Sequence, residues 1–262
     1  MPKPETFADV KDQATRICDA SSFELLSYPI TGIGLPLLKV RLPALDAAPR
    51  PVLLGAGIHG DEPAAVTAVL QFISSNQWKK YPQLQFTIYP CINPTGYNLG
   101  TRENANGDDI NRSFYGKGTP ESAAMRSSLD GDAYDFWIDA HEDYAEDGFY
   151  MFAPLDGVGA SEIVKAVGKV GPITSKSEID EMRVIDGIVK HEGDIRKRIE
   201  ARKDWPMAFY LIKNFSERGF TPETPGLQPL KLRVKMQLAA YNSALSQFAK
   251  KVTVTGGDIC GR

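Results

Sequence analysis

The chain has 262 residues, with Lys+Arg 30 against Asp+Glu 33 and a formal charge of −3, so it carries no basic field for nucleic acid or anionic lipid. Its longest apolar runs break within about ten residues, short of the roughly 20 that span a bilayer. The expected partner is a small, discrete molecule; no nucleic acid and no membrane are expected, and the oligomeric state is left open.

The opening stretch MPKPETFADVKDQATRICDA has no apolar segment behind Lys3 and no small-residue cleavage pattern, so a secretion signal is not expected. Cys18, Cys91 and Cys260 are odd in number and far apart, which fits reduced thiols and a cytoplasmic location and excludes a four-cysteine zinc site. The length suits one large α/β unit, and a single domain over 1–262 is expected.

A helix is predicted from about Thr6 to Ala20, then strands FELLSYPI (23–30) and LLKVRLP (37–43) joined by the turn TGIG. PVLLGAG (51–57) is nearly all apolar, as for a strand covered on both faces. Ala65, Val66, Val69, Leu70 and Ile73 then recur at helical spacing, with Glu62 in the first turn and Pro63 near N1. LQFTIYPCINP (84–94) reads as a second buried strand, followed by about 25 residues without apolar periodicity, a length of loop that is usually functional or mobile. YDFWIDAH (134–141) and GFYMFAP (148–154) read as strands, 159–170 and about 186–204 as helices, FYLIKNF (209–215) as a strand and RGFTPETPG as a loop. Leu227, Leu230, Val234, Leu238, Tyr241, Leu245 and Phe248 form the stripe of a long amphipathic helix. This alternation predicts an α/β fold: a mixed, mostly parallel sheet with helices on both faces. Such sheets bind ligands outside the carboxyl ends of their strands, where His59 and His141 both fall.

The chain has three histidines, at 59, 141 and 191. Two histidines and a glutamate are an established catalytic zinc set, and His59, Glu62 and His141 supply it. The spacing in HGDE (59–62) suits one ligand on a loop and one in the first helical turn, where a three-residue step returns a side chain to the same side. Taken alone, HGDE reads equally well as a helix start whose Asp61 and Glu62 favour the N-terminal dipole. His141 alone reads as a strand-end histidine with a satisfied hydrogen bond. His191, in VKHEGD, has no partner pattern and is expected at the surface.

HGDE (59–62), NPTGYNLGTRENANGDDINRSF (93–114), DAH (139–141) and TPE (221–223), in this order, resemble the zinc carboxypeptidases related to pancreatic carboxypeptidase A, with the allied succinylglutamate desuccinylases and aspartoacylases. The resemblance runs from residue 51 to about 225. It implies one Zn2+ per chain on His59, Glu62 and His141, with Asp109 hydrogen-bonded to His59; the adjacent Asp108 stays open for that role. It further implies that Asn111 and Arg112 grip a substrate carboxylate, that Arg102 stabilises the oxyanion, and that Glu223 is general base and acid. The family's tyrosine has no clear match. Tyr210 is the nearest candidate, with Trp205 and Tyr241 as further aromatics near the pocket, whose floor is expected at about 205–215. Asp139, two before His141, shares its strand face and is a second candidate to support a ligand.

These residue types also suit amide hydrolysis on chemical grounds: an activated water, a proton shuttle and a stabiliser of negative charge are what the reaction needs. The compact length and expected cytoplasmic location resemble the family's short bacterial branch, which cuts murein peptides between γ-D-glutamate and diaminopimelate. Its alternatives are an N-acyl amino acid deacylase of the aspartoacylase or desuccinylase kind and a catalytically silent small-molecule binding protein.

Overall fold

The structure is a computed structural model and describes residues 5–153, 159–190 and 193–250; His191 and Cys260 lie outside them. It opens with helix α1 (Phe7–Ser21), whose first turn is closed by a reciprocal Thr6–Asp9 capping box. Strands β1 (Glu24–Ile30) and β2 (Ile33–Arg41) pair antiparallel across Thr31-Gly32, with Gly32 at φ 76°. The second strand thus starts four residues before its expected position, because the turn needs only two residues.

β3 (Arg50–Ala56) leads into α2 (Pro63–Ser74), and β4 (Leu84–Tyr89) into a short helix α3 (Pro94–Leu99). The loop expected to be structureless therefore contains α3 and a 3-10 turn at Ile110–Arg112. Helix α4 (Pro120–Ser128) precedes β5 (Phe136–Asp143) and β6 (Tyr150–Phe152), and α5 (Ala160–Gly168) follows. The helix expected over about 186–204 is mostly absent: β7 (Glu178–Ile179), β8 (Met182–Ile185) and β9 (Ile188–Val189) occupy its approach, and α6 covers Ile195–Ala201. Asp186 and Gly187, both at positive φ, make the tight turn between β8 and β9 that the helix reading overlooked.

Two further expectations are reversed. FYLIKNF is helical, within α7 (Met207–Asn214), and the expected loop RGFTPETPG contains strand β10 (Gly219–Pro225). Met207 and Leu211, four apart, both pack into the core against the sheet, so burial of a helical stripe decides α7 against its strand-like composition. The final helix α8 (Leu230–Lys250) begins after Leu227, which is exposed rather than part of the stripe.

The ten strands among the described residues form one mixed sheet in the order β1-β2-β4-β3-β5-β10-β6-β9-β8-β7, with β4, β3, β5 and β10 parallel at its centre. Alternate residues serve opposite faces. Phe136, Ile138 and Ala140 of β5 pack into the core that contains α1, α2, α5 and α8, while Trp137 joins the core under α4 and α7. No helix among the described residues is long and apolar enough to cross a membrane.

Candidate metal centre and active site

The strand pairing sets the site. On the α7 side of the sheet, His141 of β5 is level with Glu223 of β10, which is level with Tyr150 of β6. Two residues down each strand, Thr221 is level with Phe152, and at the far end Trp137 is level with Gly219. These residues line a cavity of about 510 Å³ together with His59, Glu62, Arg102, Asn111, Arg112 and Asp139. Its far wall includes Pro206, Ala208, Phe209 and Ile212, the segment in which a pocket floor was expected. A Cβ on Gly219 would lie 2.1 Å from the Trp137 indole, so glycine is what lets that ring lie across β10.

Glu62 is the residue before α2, and its carboxylate makes no cap to that helix. The cap comes from elsewhere: Ala64 N donates to Glu142 Oε1 at 2.6 Å, and Arg233 of α8 pairs with the same carboxylate. Glu62 is thereby free to face the histidines. Its Oε1 lies 2.5 Å from His59 Nδ1, its Oε2 3.0 Å from His141 Nδ1, and the two Nδ1 atoms are 3.2 Å apart. All three residues are buried. Gln237 of α8 holds the strand beneath them, donating to His141 O at 2.6 Å.

Each histidine turns its other nitrogen to a carboxylate: His59 Nε2 is 3.4 Å from Asp109 Oδ1, and His141 Nε2 is 3.3 Å from Asp139 Oδ2. Asn111 Nδ2 also lies 3.4 Å from His141 Nε2, but a carboxylate can only accept, which favours the proton on Nε2. That tautomer leaves the Nδ1 lone pairs facing each other and Glu62, whose Oε2 is buried without a hydrogen bond. Lone pairs packed this way repel unless a cation or protons lie between them. Two nitrogens on one tetrahedral zinc sit about 3.3 Å apart, so the 3.2 Å separation and the two-nitrogen, one-carboxylate donor set fit a divalent metal.

The electrostatics of the metal-free chain agree. Burial alone would lower the His59 and His141 pKa values, yet both are raised because Glu62, with Asp109 on one side and Asp139 and Glu223 on the other, outweighs it. Burial would raise Glu62, but the two histidines bring it down to about 2. Glu223 goes the other way: burial, with Glu62 and Asp143 nearby, pushes its carboxyl well above the usual range against the pull of His141.

Arg102 donates from Nε and Nη2 to Asp109 Oδ2 at 3.1 and 3.0 Å, with Nη1 3.3 Å from His59 Nδ1. Asp108 is exposed and belongs to a turn with Asn104, so Asp109 alone of the pair reaches His59. Asn111 is anchored by accepting from Met207 N at 2.8 Å, and Arg112 lies at the exposed rim of the cavity. Tyr210 is a correction: it packs on Phe114 and Phe215 outside the cavity, because α7 turns its Ala208, Phe209 and Ile212 to the cavity instead. Trp205 and Tyr241 are likewise absent from the lining. The aromatics that line the cavity are Trp137, Tyr144, Tyr150, Phe152 and Phe209. Trp137 was legible two steps of two before His141, whereas Tyr150 required knowing that β6 pairs with β10.

Residues 48–157 match the succinylglutamate desuccinylase/aspartoacylase catalytic domain. Over 83 residues, 31% of this chain, it is 39% identical to murein peptide amidase A of Escherichia coli (strain K12), a match that spans 32% of that protein's length. It is 28% identical over 116 residues to carboxypeptidase SOL1 of Arabidopsis thaliana, covering 40% of this chain and 23% of the other. Among solved structures, a candidate metallopeptidase from Shewanella amazonensis superposes with TM-score 0.77 at 23% identity, covering 91% of this chain and 92% of that one. Carboxypeptidase A from Helicoverpa armigera gives TM-score 0.69 at 13% identity, covering 95% and 74%. Over residues 48–157 the chain resembles that catalytic domain, and over nearly its whole length it shares the fold of the Shewanella amazonensis and Helicoverpa armigera structures. The similarity to murein peptide amidase A is confined to that 83-residue segment, about a third of each protein.

Proposed function

We propose that the chain, acting as one catalytic unit, is a zinc-dependent amidase of the metallocarboxypeptidase type. Its substrate is a small peptide cut beside a free carboxylate, with the γ-D-glutamyl-diaminopimelate bond of murein peptides as the first candidate. The observation that carries this reading is the convergence of His59, Glu62 and His141 with Glu223 level with His141 on the next strand.

Zinc, when bound by His59, Glu62 and His141, lowers the pKa of a water to about 7 and polarises a carbonyl. The chain's own groups do the rest. Arg112 at the cavity rim and the buried Asn111 beside it bind the substrate carboxylate, the guanidinium fork suiting a bidentate contact. Arg102, beside His59, faces the carbonyl oxygen as negative charge builds on it. Glu223 takes a proton from the water as its oxygen bonds to the carbonyl carbon; the C–N bond then breaks and Glu223 returns the proton to the departing nitrogen. The products are a carboxylate and an amine.

The domain match over residues 48–157 also supports a second reading, an N-acyl amino acid deacylase. The test is mass spectrometry of zinc-loaded protein incubated with L-Ala-γ-D-Glu-meso-diaminopimelate, N-succinylglutamate and N-acetylaspartate, with Glu223→Gln as the blank. Release of diaminopimelate by the native chain alone is expected. Cleavage of only the acyl amino acids would transfer the assignment to the second reading, and equal turnover by Glu223→Gln would remove Glu223 from the chemistry.

A further inference from the structure

We propose that Tyr150 is a catalytic residue of this site: its phenolic oxygen accepts a hydrogen bond from the scissile N–H, on the side of Glu223 away from His141. Tyr150 is directly opposite Glu223 in the antiparallel β6–β10 pair, so the two side chains share one face, and both line the cavity. Opposed side chains in such a pair start about 5 Å apart.

The phenol is 3% exposed and has one hydrogen to give. That hydrogen is committed: Oη donates to Asp143 Oδ2 at 2.8 Å, while Asp143 Oδ1 accepts from Ala145 N at 2.7 Å and cannot swing away freely. The ring is held by Phe152, edge-on at 5.7 Å, and by the small core of Ile179, Val184 and Val189. With its hydrogen fixed on Asp143, the phenol presents lone pairs to the cavity and acts there as an acceptor.

An amide substrate needs such an acceptor. Arg102, Arg112 and the Asn111 amide nitrogen are donors, suited to oxygen atoms and unable to take an N–H. When Glu223 protonates the departing nitrogen, that nitrogen becomes pyramidal with its lone pair toward Glu223 and its N–H turned aside. An acceptor next to Glu223 in the same row holds the N–H in that orientation and continues to hold the released amine. Thr221 and Phe152, one row down, offer a hydroxyl and a phenyl ring, so among these neighbours of Glu223 the phenol is the acceptor with a fixed hydrogen.

This rests on the amide-hydrolase reading, and a paired substrate separates the two. An amide peptide and its ester analogue, with oxygen in place of the scissile N–H, differ at that one hydrogen bond. Tyr150→Phe is expected to lower kcat for the amide about tenfold more than for the ester, the weight of one neutral hydrogen bond, with zinc content as in the native protein and a melting temperature lowered only by the lost bond to Asp143. Equal losses on both substrates, or none, overturn the role of Tyr150 alone. If Tyr150→Phe does not fold, Asp143→Ala, which frees the phenol to rotate, is expected to shift the same amide-to-ester ratio in the same direction, and an unshifted ratio overturns the proposal. A native chain that cleaves neither substrate overturns the hydrolase reading and this proposal with it.

Discussion

A histidine ligand has two nitrogens, and at this centre they do different things. Nδ1 of His59 and of His141 face Glu62, while each Nε2 faces an aspartate. Those aspartates favour the proton on Nε2 and would raise the basicity of Nδ1 toward a metal. His59→Ala is expected to abolish stoichiometric zinc binding, and unchanged metal content by atomic spectroscopy would sink its assignment as a ligand. Asp109→Asn and Asp139→Asn are expected to weaken zinc about 10- to 100-fold, read by competition with a chelating dye. Asp109 also holds Arg102 through two donors, so its substitution should in addition raise the loss in kcat above that of Asp139→Asn. Equal kcat losses would detach Arg102 from the reaction. HGDE was readable because both candidate ligands come from one turn, and Asp139 because strand periodicity puts it on the face of His141. Tyr150 and the exclusion of Tyr210 were not readable, since both depend on which elements lie against β10.

At the scale of elements, close packing of backbone places the ligand loop. A Cβ added to Gly60 would sit 1.9 Å from the Gly96 carbonyl carbon, so the turn carrying His59 presses directly on α3. Gly60→Ala is expected to cost about 1–3 kcal/mol, as overpacking does, and to weaken zinc by displacing His59. Gly34→Ala, where an added Cβ meets nothing within 4 Å, is the control; similar effects from both would refute the contact argument. The β1–β2 end of the sheet has its own ionic anchor, on the face that α4 covers. Lys39 is fully buried, donating to Ser128 O and Asp132 at 2.6 Å, and Arg41 reaches the same carboxylate at 2.7 Å. Burial would raise the Asp132 pKa, but Lys39, Tyr134 and Arg41 hold it below the usual value. A depressed folded pKa gives stability that is present above the unfolded value of about 3.9 and lost as pH falls through the folded one. Asp132→Ala should therefore cost about 3 kcal/mol near neutrality by stranding Lys39 and flatten the acid limb of the stability curve. An acid limb as steep as the native one would show that other carboxylates govern it. Sequence composition misread α7 and β10 for opposite reasons. Aromatic and apolar FYLIKNF suggests a strand until Met207 and Leu211 bury one helical stripe, and TPETP suggests a loop because proline cannot donate to a ladder. β10 tolerates Pro222 because its pairing to β5 lapses at Thr221 and Pro222 before resuming at Glu223.

For the molecule as a whole, the candidate centre joins parts of the chain that folding must first bring together. His59 and Glu62 sit where β3 passes into α2, and His141 lies two residues before the end of β5, the adjacent parallel strand. In the metal-free chain, that junction concentrates Glu62, Asp109, Asp139 and Glu223 around two histidines, a cluster that burial penalises and a divalent cation relieves. Metal binding is then linked to folding, because the unfolded chain holds residues 59 and 141 far apart and has no preformed site. Zinc at about a thousand times its Kd is expected to stabilise the fold by about 4 kcal/mol, which at the roughly 2–4 °C per kcal/mol of 150–250-residue domains is at most about 8–16 °C in melting temperature for this slightly longer chain of 262 residues. Calorimetry with added zinc, then with excess chelator, reads the gain and its reversal. The same scans on His141→Ala separate site binding from adventitious binding: the gain should vanish there, while a gain surviving in that variant would place the stabilising metal elsewhere. Because Glu142 and Gln237 tie the end of β5 to α2 and α8 independently of any metal, the chelated native protein is expected to remain folded and merely melt lower. Unfolding on chelation at room temperature would instead make the metal, rather than that bracing, the support of the sheet's centre.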